Sequence, residues 1–168
     1  MLDFAVLAVF PGLMVFAAVS DLLTMTIPNR VSLILIAGFF ALGLAFGMPL
    51  AAMGWHLLAG LMVLAVCFVM FNFGWIGGGD AKLAAATALW LGFGVLARYG
   101  FLAAIFGGIL TLAILQLRNM TRPEGFLARN WVLRLHDHKI GIPYGVALAL
   151  AGLVVYPDTA IWLAARTI

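Results

Sequence analysis

The chain has 168 residues, 66% of them hydrophobic and 9% charged, with a mean hydropathy of +1.20, far outside the range of soluble globular domains. This composition describes an integral membrane protein and leaves no stretch for a soluble domain. Nine basic against six acidic residues give a net charge of +3, and a single cysteine, Cys67, excludes an internal disulfide or a cysteine-based zinc site.

Apolar runs of spanning length, roughly 17 to 25 residues, fit at 2–20, 31–48, 55–73, 81–97, 101–117 and 141–157. They predict an all-α membrane protein, a polytopic bundle of about six transmembrane helices forming one domain over 1–168. The first run ends in Ala18-Val19-Ser20, a small-residue triplet of the kind cleaved after signal peptides. It has no basic n-region and carries Asp3, so it reads as a retained span. Ser20-Asp21 and then Ile27-Pro28-Asn29 follow, a helix end and a turn that Pro28 punctuates. In the second run Gly43 and Gly47 have the Gly-x-x-x-Gly spacing that admits close helix packing. Cys67 sits inside the third run as a packing residue.

The fourth run opens on Gly77-Gly78-Gly79-Asp80-Ala81-Lys82. The glycines provide a backbone able to take unusual dihedrals and to let another segment approach closely. Asp80 at a helix start also suits capping and the helix dipole. Lys82, two residues on, points about 200° away from Asp80 on a helix, so it is read as snorkelling to headgroups and not as a partner of that carboxyl. The polar segment 118–140 interleaves Arg122, Arg129, Arg134 and Lys139 with Phe126, Leu127, Trp131, Val132 and Leu135, the pattern of an amphipathic stretch on anionic lipid or of a dock for assembly machinery. The last run begins at Ile142-Pro143-Tyr144-Gly145, where Pro143 starts a helix and Tyr144 places an amphipathic ring at the interface. Pro157 and Asp158 stop it, leaving a tail whose Trp162 and Arg166 suit the headgroup layer.

With six spans, Arg30, Lys82, Arg118, Arg122, Arg129, Arg134 and Lys139 fall on one side and only Arg98 and Arg166 on the other. The first side is therefore expected to be cytoplasmic, with both termini outside. The basic excess reflects topology, and no nucleic-acid partner is expected. Two spans separate Asp21 from Asp80, so both carboxyls return to the same face whatever the orientation. Asp21 lies 18 residues after Asp3, about 27 Å of helix, which puts it at a bilayer boundary. A charge within a span costs about 2.5 to 3.5 kcal/mol, so acidic groups kept beside spans mark chemistry or ion movement. Two neighbouring carboxyls can share one proton and activate a water against a peptide carbonyl, which is aspartyl protease chemistry without serine, cysteine or metal.

Three stretches carry a resemblance: Gly77 to Lys82, Ser20-Asp21 with Ile27-Pro28-Asn29, and Ile142 to Gly145. Together on this layout they resemble the type IV prepilin leader peptidases, and Gly77-Gly78-Gly79-Asp80 fits the Gly-x-Gly-Asp signature of intramembrane aspartyl proteases. In length the chain is similar to the short branch serving tight-adherence (Flp) pili. The resemblance implies that Asp21 and Asp80 are the catalytic pair, with Gly77, Gly79, Lys82, Pro28, Asn29, Pro143 and Tyr144 in supporting or substrate-binding roles. It implies prepilin and pseudopilin substrates cut between a basic leader and an apolar helix at the cytoplasmic face of a bacterial inner membrane. Long-form relatives carry a cytoplasmic loop with paired Cys-x-x-Cys motifs and also methylate the new N-terminus. This sequence has neither loop nor cysteines, so methylation is not expected.

No cofactor or metal is expected. His136-Asp137-His138 is the one tempting cluster, but its histidines share a face only if the segment is extended, and His56 belongs to the opposite membrane face, so solvated loop residues are the reading. The rival function is a small ion-coupled transporter or channel subunit with Asp21 and Asp80 as a proton relay.

Overall fold

The computed structural model describes residues 2–120 and 129–165, with side chains from residue 5 onward. Arg122, Phe126, Leu127 and Arg166, and the side chain of Asp3, lie outside the described residues. Among those described, every regular element is helical: α1 (Leu2–Thr24), α2 (Asn29–Ala45), α3 (Leu50–Asn72), α4 (Gly78–Arg118), α5 (Asn130–His136), α6 (Tyr144–Val155), a 3-10 turn (Tyr156–Asp158) and α7 (Ala160–Ala165). Three stretches are long and apolar enough to cross a bilayer, Ala5–Thr24, Leu50–Asn72 and Gly78–Arg118; Asn29–Ala45 and Tyr144–Asp158 are apolar but shorter.

The helix ends follow from local chemistry. Pro28, Pro49 and Pro143 immediately precede α2, α3 and α6, where a missing N–H costs nothing and φ is already set. α2 and α3 both close on glycines in the left-handed region, Gly47 (φ 68°) and Gly74 (φ 72°). Around Gly47, the Met48 amide reaches Gly43 O at 2.8 Å and the Gly47 amide reaches Leu44 O at 3.0 Å, the paired bonds of a Schellman cap. Gly47 thus ends a helix, and a Cβ there would meet nothing within 4 Å, whereas a Cβ on Gly43 would lie 3.3 Å from Met53 Cε. Only one glycine of that pair serves the packing role expected of both.

α4 breaks at Gly92, whose φ of 63° and ψ of −178° belong to a region nearly exclusive to glycine. The contacts on either side show that the chain reverses there. The limb 78–91 runs parallel to α6, since Asp80 faces Gly145 and Thr87 packs 3.2 Å from a Cβ position at Gly152. The limb 93–118 runs antiparallel to it, since Tyr144 lies on Gly107 while Arg98 pairs with Asp158. The expected turn between 97 and 101 is therefore misplaced. Arg98 and Tyr99 resemble loop residues in sequence, but Arg98 is neutralised by Asp158 and Tyr99 is buried beside Thr87. The reversal frees Leu89 O, which accepts a 2.8 Å hydrogen bond from His56 Nδ1.

Neighbouring helices alternate in direction around 78–91. α3 is antiparallel to it, with Gly60 against Ala85 and Leu89; α2 is parallel, with Lys82 bonded to Asn29 and Trp90 Nε1 donating to Leu35 O at 2.8 Å. α1 is antiparallel to α6, from Asp21 at Gly145 to Tyr156, whose hydroxyl donates to Val6 O at 3.0 Å. Phe10 stacks on Tyr156 at 4.2 Å between centroids and meets Trp90 at 5.3 Å, so the end of the bundle away from Asp21 holds a dense aromatic core. Lipid is as apolar as these side chains, so close packing at small residues and interhelical hydrogen bonds hold such contacts together.

Two surface expectations are corrected, that of a solvated His136 and that of a Trp162 directed at headgroups. Segment 129–140 is tied to the bundle: Arg134 donates to Leu23 O, Arg118 donates to Leu135 O at 2.8 Å and Ile140 O at 2.7 Å, and Leu135 and His136 are buried. His136 is therefore no solvated loop residue; its Nδ1 donates to Val132 O within α5, while His138 remains exposed. The tail folds back as α7, burying Ile161 and setting Trp162 edge-on against Tyr156 at 5.2 Å, so Trp162 is turned into the protein and not toward headgroups.

Candidate active site

Both aspartates lie at the same end of the bundle. Asp21 sits in the last turn of α1, which closes at Met25, a left-handed residue (φ 56°) whose amide bonds Asp21 O at 2.7 Å. The turn is stiffened by Ser20 Oγ donating to Thr26 O at 2.8 Å and Thr24 Oγ1 to Ser20 O at 2.7 Å. Asp80 is the third residue of α4 after the cap Gly77, and its carboxyl turns back to the Gly77 amide as an acidic side chain at that position commonly does.

The two carboxyls are within electrostatic reach of each other, and one amide joins them. Gly145 N donates to Asp21 Oδ2 at 2.8 Å and also faces Asp80. Asp21 is 5% exposed and Asp80 half-buried, so water reaches the pair chiefly from the Asp80 side. Three sequence motifs thus converge. Ile27 is the wedge between them: a Cβ on Gly79 would lie 3.3 Å from Ile27 Cβ, and one on Gly145 would lie 2.5 Å from Ile27 Cδ1 and 2.8 Å from Asp21 Oδ2. Gly77 is extended (φ −74°, ψ 150°), so the role of this glycine run is close approach, to Asp80, Phe71 and Ile27 in turn, and not unusual dihedrals.

The other candidates separate into two groups. Lys82 and Asn29 form a bridge of 2.9 Å between α4 and α2 on the side of α4 away from Asp80, at one end of an apolar groove of about 370 Å³ that Ser32, Gly60, Ala85 and Leu89 help line. Lys82 does not contact Asp80, as its spacing indicates, and it is hydrogen-bonded where free snorkelling was expected. Pro28 sets the start of α2 and is exposed. Pro143 is buried, and Tyr144 turns its ring inward onto Gly107, donating to Ala103 O at 3.3 Å, so it anchors α6 and does not belong to an interfacial belt.

Ile27 and Gly145 are the contacts that reading the sequence did not single out, although both stood inside quoted motifs. Tyr99 and Cys67 also come within electrostatic range of Asp80 from the returning limb and α3, and nothing local in the sequence signals either. His56 lies at the far end of the bundle, bonded to Leu89 O and stacked on Phe39 at 5.2 Å. The arrangement as a whole is one buried and one half-buried carboxyl, oriented by backbone amides, at one end of an apolar helical bundle.

A family model described as type IV leader peptidase family matches residues 8–112, more than half of the chain. No curated protein and no solved structure gives a significant match.

Proposed function

Since this chain belongs to the type IV leader peptidase family, we propose that it is a membrane-embedded aspartic endopeptidase whose Asp21 and Asp80 form the catalytic dyad. The observation that carries this reading is the convergence of the two carboxyls on the Gly145 amide at one end of the bundle. In the proposed reaction one carboxyl holds a proton and the other accepts one from a water placed between them. The hydroxide equivalent attacks the scissile carbonyl, the protonated carboxyl hydrogen-bonds its oxygen, and the pair then returns a proton to the leaving amine. Protonation belongs to the pair, so acid and base roles are not divided between the residues.

The substrate class is prepilins and pseudopilins, cut between a basic leader and the apolar helix that follows. The short chain without Cys-x-x-Cys motifs favours the tight-adherence (Flp) branch and peptidase activity without N-methylation. The charge asymmetry supports an inner-membrane protein of about six spans with the dyad at the cytoplasmic face and both termini outside. A proton relay would call for acidic groups through the depth of the bundle; Asp21 and Asp80 share one end, and Asp158 at the other is paired with Arg98.

The test is cleavage of a prepilin from the same genome by the purified full chain. Asp21→Asn and Asp80→Asn are each expected to lower turnover by at least about 10³-fold while the protein still inserts and purifies, because either change removes the shared proton. Normal processing by either variant would refute the dyad.

A further inference from the structure

Gly145 lies outside the stretch that matches the family model, yet among the described residues its amide is the one backbone group that faces both aspartates. Resting on the aspartic reading above, we infer that Gly145 is the positioning residue of the dyad: its N–H orients the Asp21 carboxyl toward Asp80, and the site requires that position 145 carry no side chain.

The donor is available because Gly145 lies in the first turn of α6, where amides have no carbonyl one turn earlier to bond. Its aim is set from outside the helix. Pro143 is buried, Tyr144 is seated on Gly107 so closely that a Cβ there would lie 2.2 Å from its hydroxyl, and Arg118 holds the carbonyls of Ile140 and Gly141. α6 therefore delivers one fixed hydrogen bond to a carboxyl on α1 across 124 residues of sequence. A methyl group at 145 would occupy the space of Asp21 Oδ2 and Ile27 Cδ1, pushing α6 and its amide away from the pair. Gly141, four residues earlier, meets nothing within 4 Å, so its methyl group is harmless. The titratable side chains facing the pair are Tyr144 from α6, Tyr99 from the returning limb and Cys67 from α3, all toward Asp80. Phenols and thiols ordinarily ionise in the alkaline range, so below that range only the carboxyls change charge beside this amide.

Two measurements on the full chain in lipid nanodiscs test the inference. In kinetics, Gly145→Ala combined with Ile27→Ala, which removes the clash with Ile27 but not that with Asp21, should lower kcat about 100-fold relative to Ile27→Ala alone, the scale of losing one preorganised donor. KM should stay within about threefold and the pH profile of kcat should be displaced. Gly141→Ala should match the unmodified protein. A purely structural glycine would let the double variant match Ile27→Ala in kcat and in pH profile, and that result overturns the inference. The second measurement needs no variant at 145 to fold. With ¹⁵N-glycine labelling, the Gly145 amide resonance should shift with pH at the midpoint seen in kcat, and in Asp21→Asn the shift should shrink and its midpoint move, because only Asp80 then titrates beside the amide. An amide indifferent to pH while Asp21→Asn is inactive overturns the role of Gly145 and leaves the dyad standing; an active Asp21→Asn overturns both.

Discussion

At the level of single residues, the site is made by what is absent as much as by what is present. Gly79 and Gly145 leave room for Ile27, and Ile27 in turn spaces the helix starts that carry Asp80 and the bridging amide. The histidines illustrate the opposite case, residues with ligand chemistry used for structure. His136 is buried and bonded within α5, and His56 stands at the other end of the bundle on a freed carbonyl. Replacing His136 and His138 together by alanine should accordingly leave kcat within about twofold while costing on the order of 1 kcal/mol of stability through the buried ring. Strong chelation should not slow cleavage. Loss of activity on chelation, restored by zinc, would replace the two-aspartate mechanism with a metal-dependent one.

The element that decides the architecture is the reversal inside α4. Gly92 holds a conformation nearly closed to other residues, and the His56 ring already fills the place of its missing side chain, 2.8 Å from a Cβ position. Gly92→Ala should cost on the order of 1–3 kcal/mol from the backbone alone, with the collision against His56 added. A thermal-unfolding series should show Gly92→Ala costing less in a His56→Ala background than in the unmodified chain, because only the backbone share of its cost remains there. Equal stability of Gly92→Ala and the unmodified chain would mean that the reversal lies elsewhere. α5 shows a second principle at this scale: Arg134 and Arg118 spend their charge on backbone carbonyls near the ends of α1 and α6, so the basic segment braces the elements that carry Asp21 and Gly145.

Across the whole molecule, the helix directions put Asp21, Asn29, Asp80, Arg118 and Gly145 at one end and His56, Gly92, Arg98 and Asp158 at the other. Cysteines introduced at Arg30 and Arg129 in a Cys67→Ala parent should therefore share one accessibility and a cysteine at Met48 the other. With the dyad facing the cytoplasm, an impermeant thiol reagent added outside cells should label Met48→Cys and spare Arg30→Cys and Arg129→Cys. Labelling at Arg30→Cys and Arg129→Cys but not at Met48→Cys would invert the orientation. Arg30→Cys and Arg129→Cys behaving differently would break the helix order itself.

By itself the sequence determined the apolar surroundings and the helical class, and it led to the expectation that the two aspartates lie at one end of the bundle, because hydropathy and the order of apolar runs are properties of composition and order. It also placed Asp80 and Lys82 on opposite sides of a helix, since that angle depends on spacing alone. Only the tertiary structure decided where α4 turns. A glycine in an apolar run carries the same hydropathy whether it packs or reverses the chain, and Arg98 reads as a loop residue until Asp158, 60 positions later, is brought beside it. The joining of Asp21 to Gly145 was likewise closed to sequence reading, because a backbone amide has no residue identity and its partner is fixed by the packing of α1, α4 and α6 against one another.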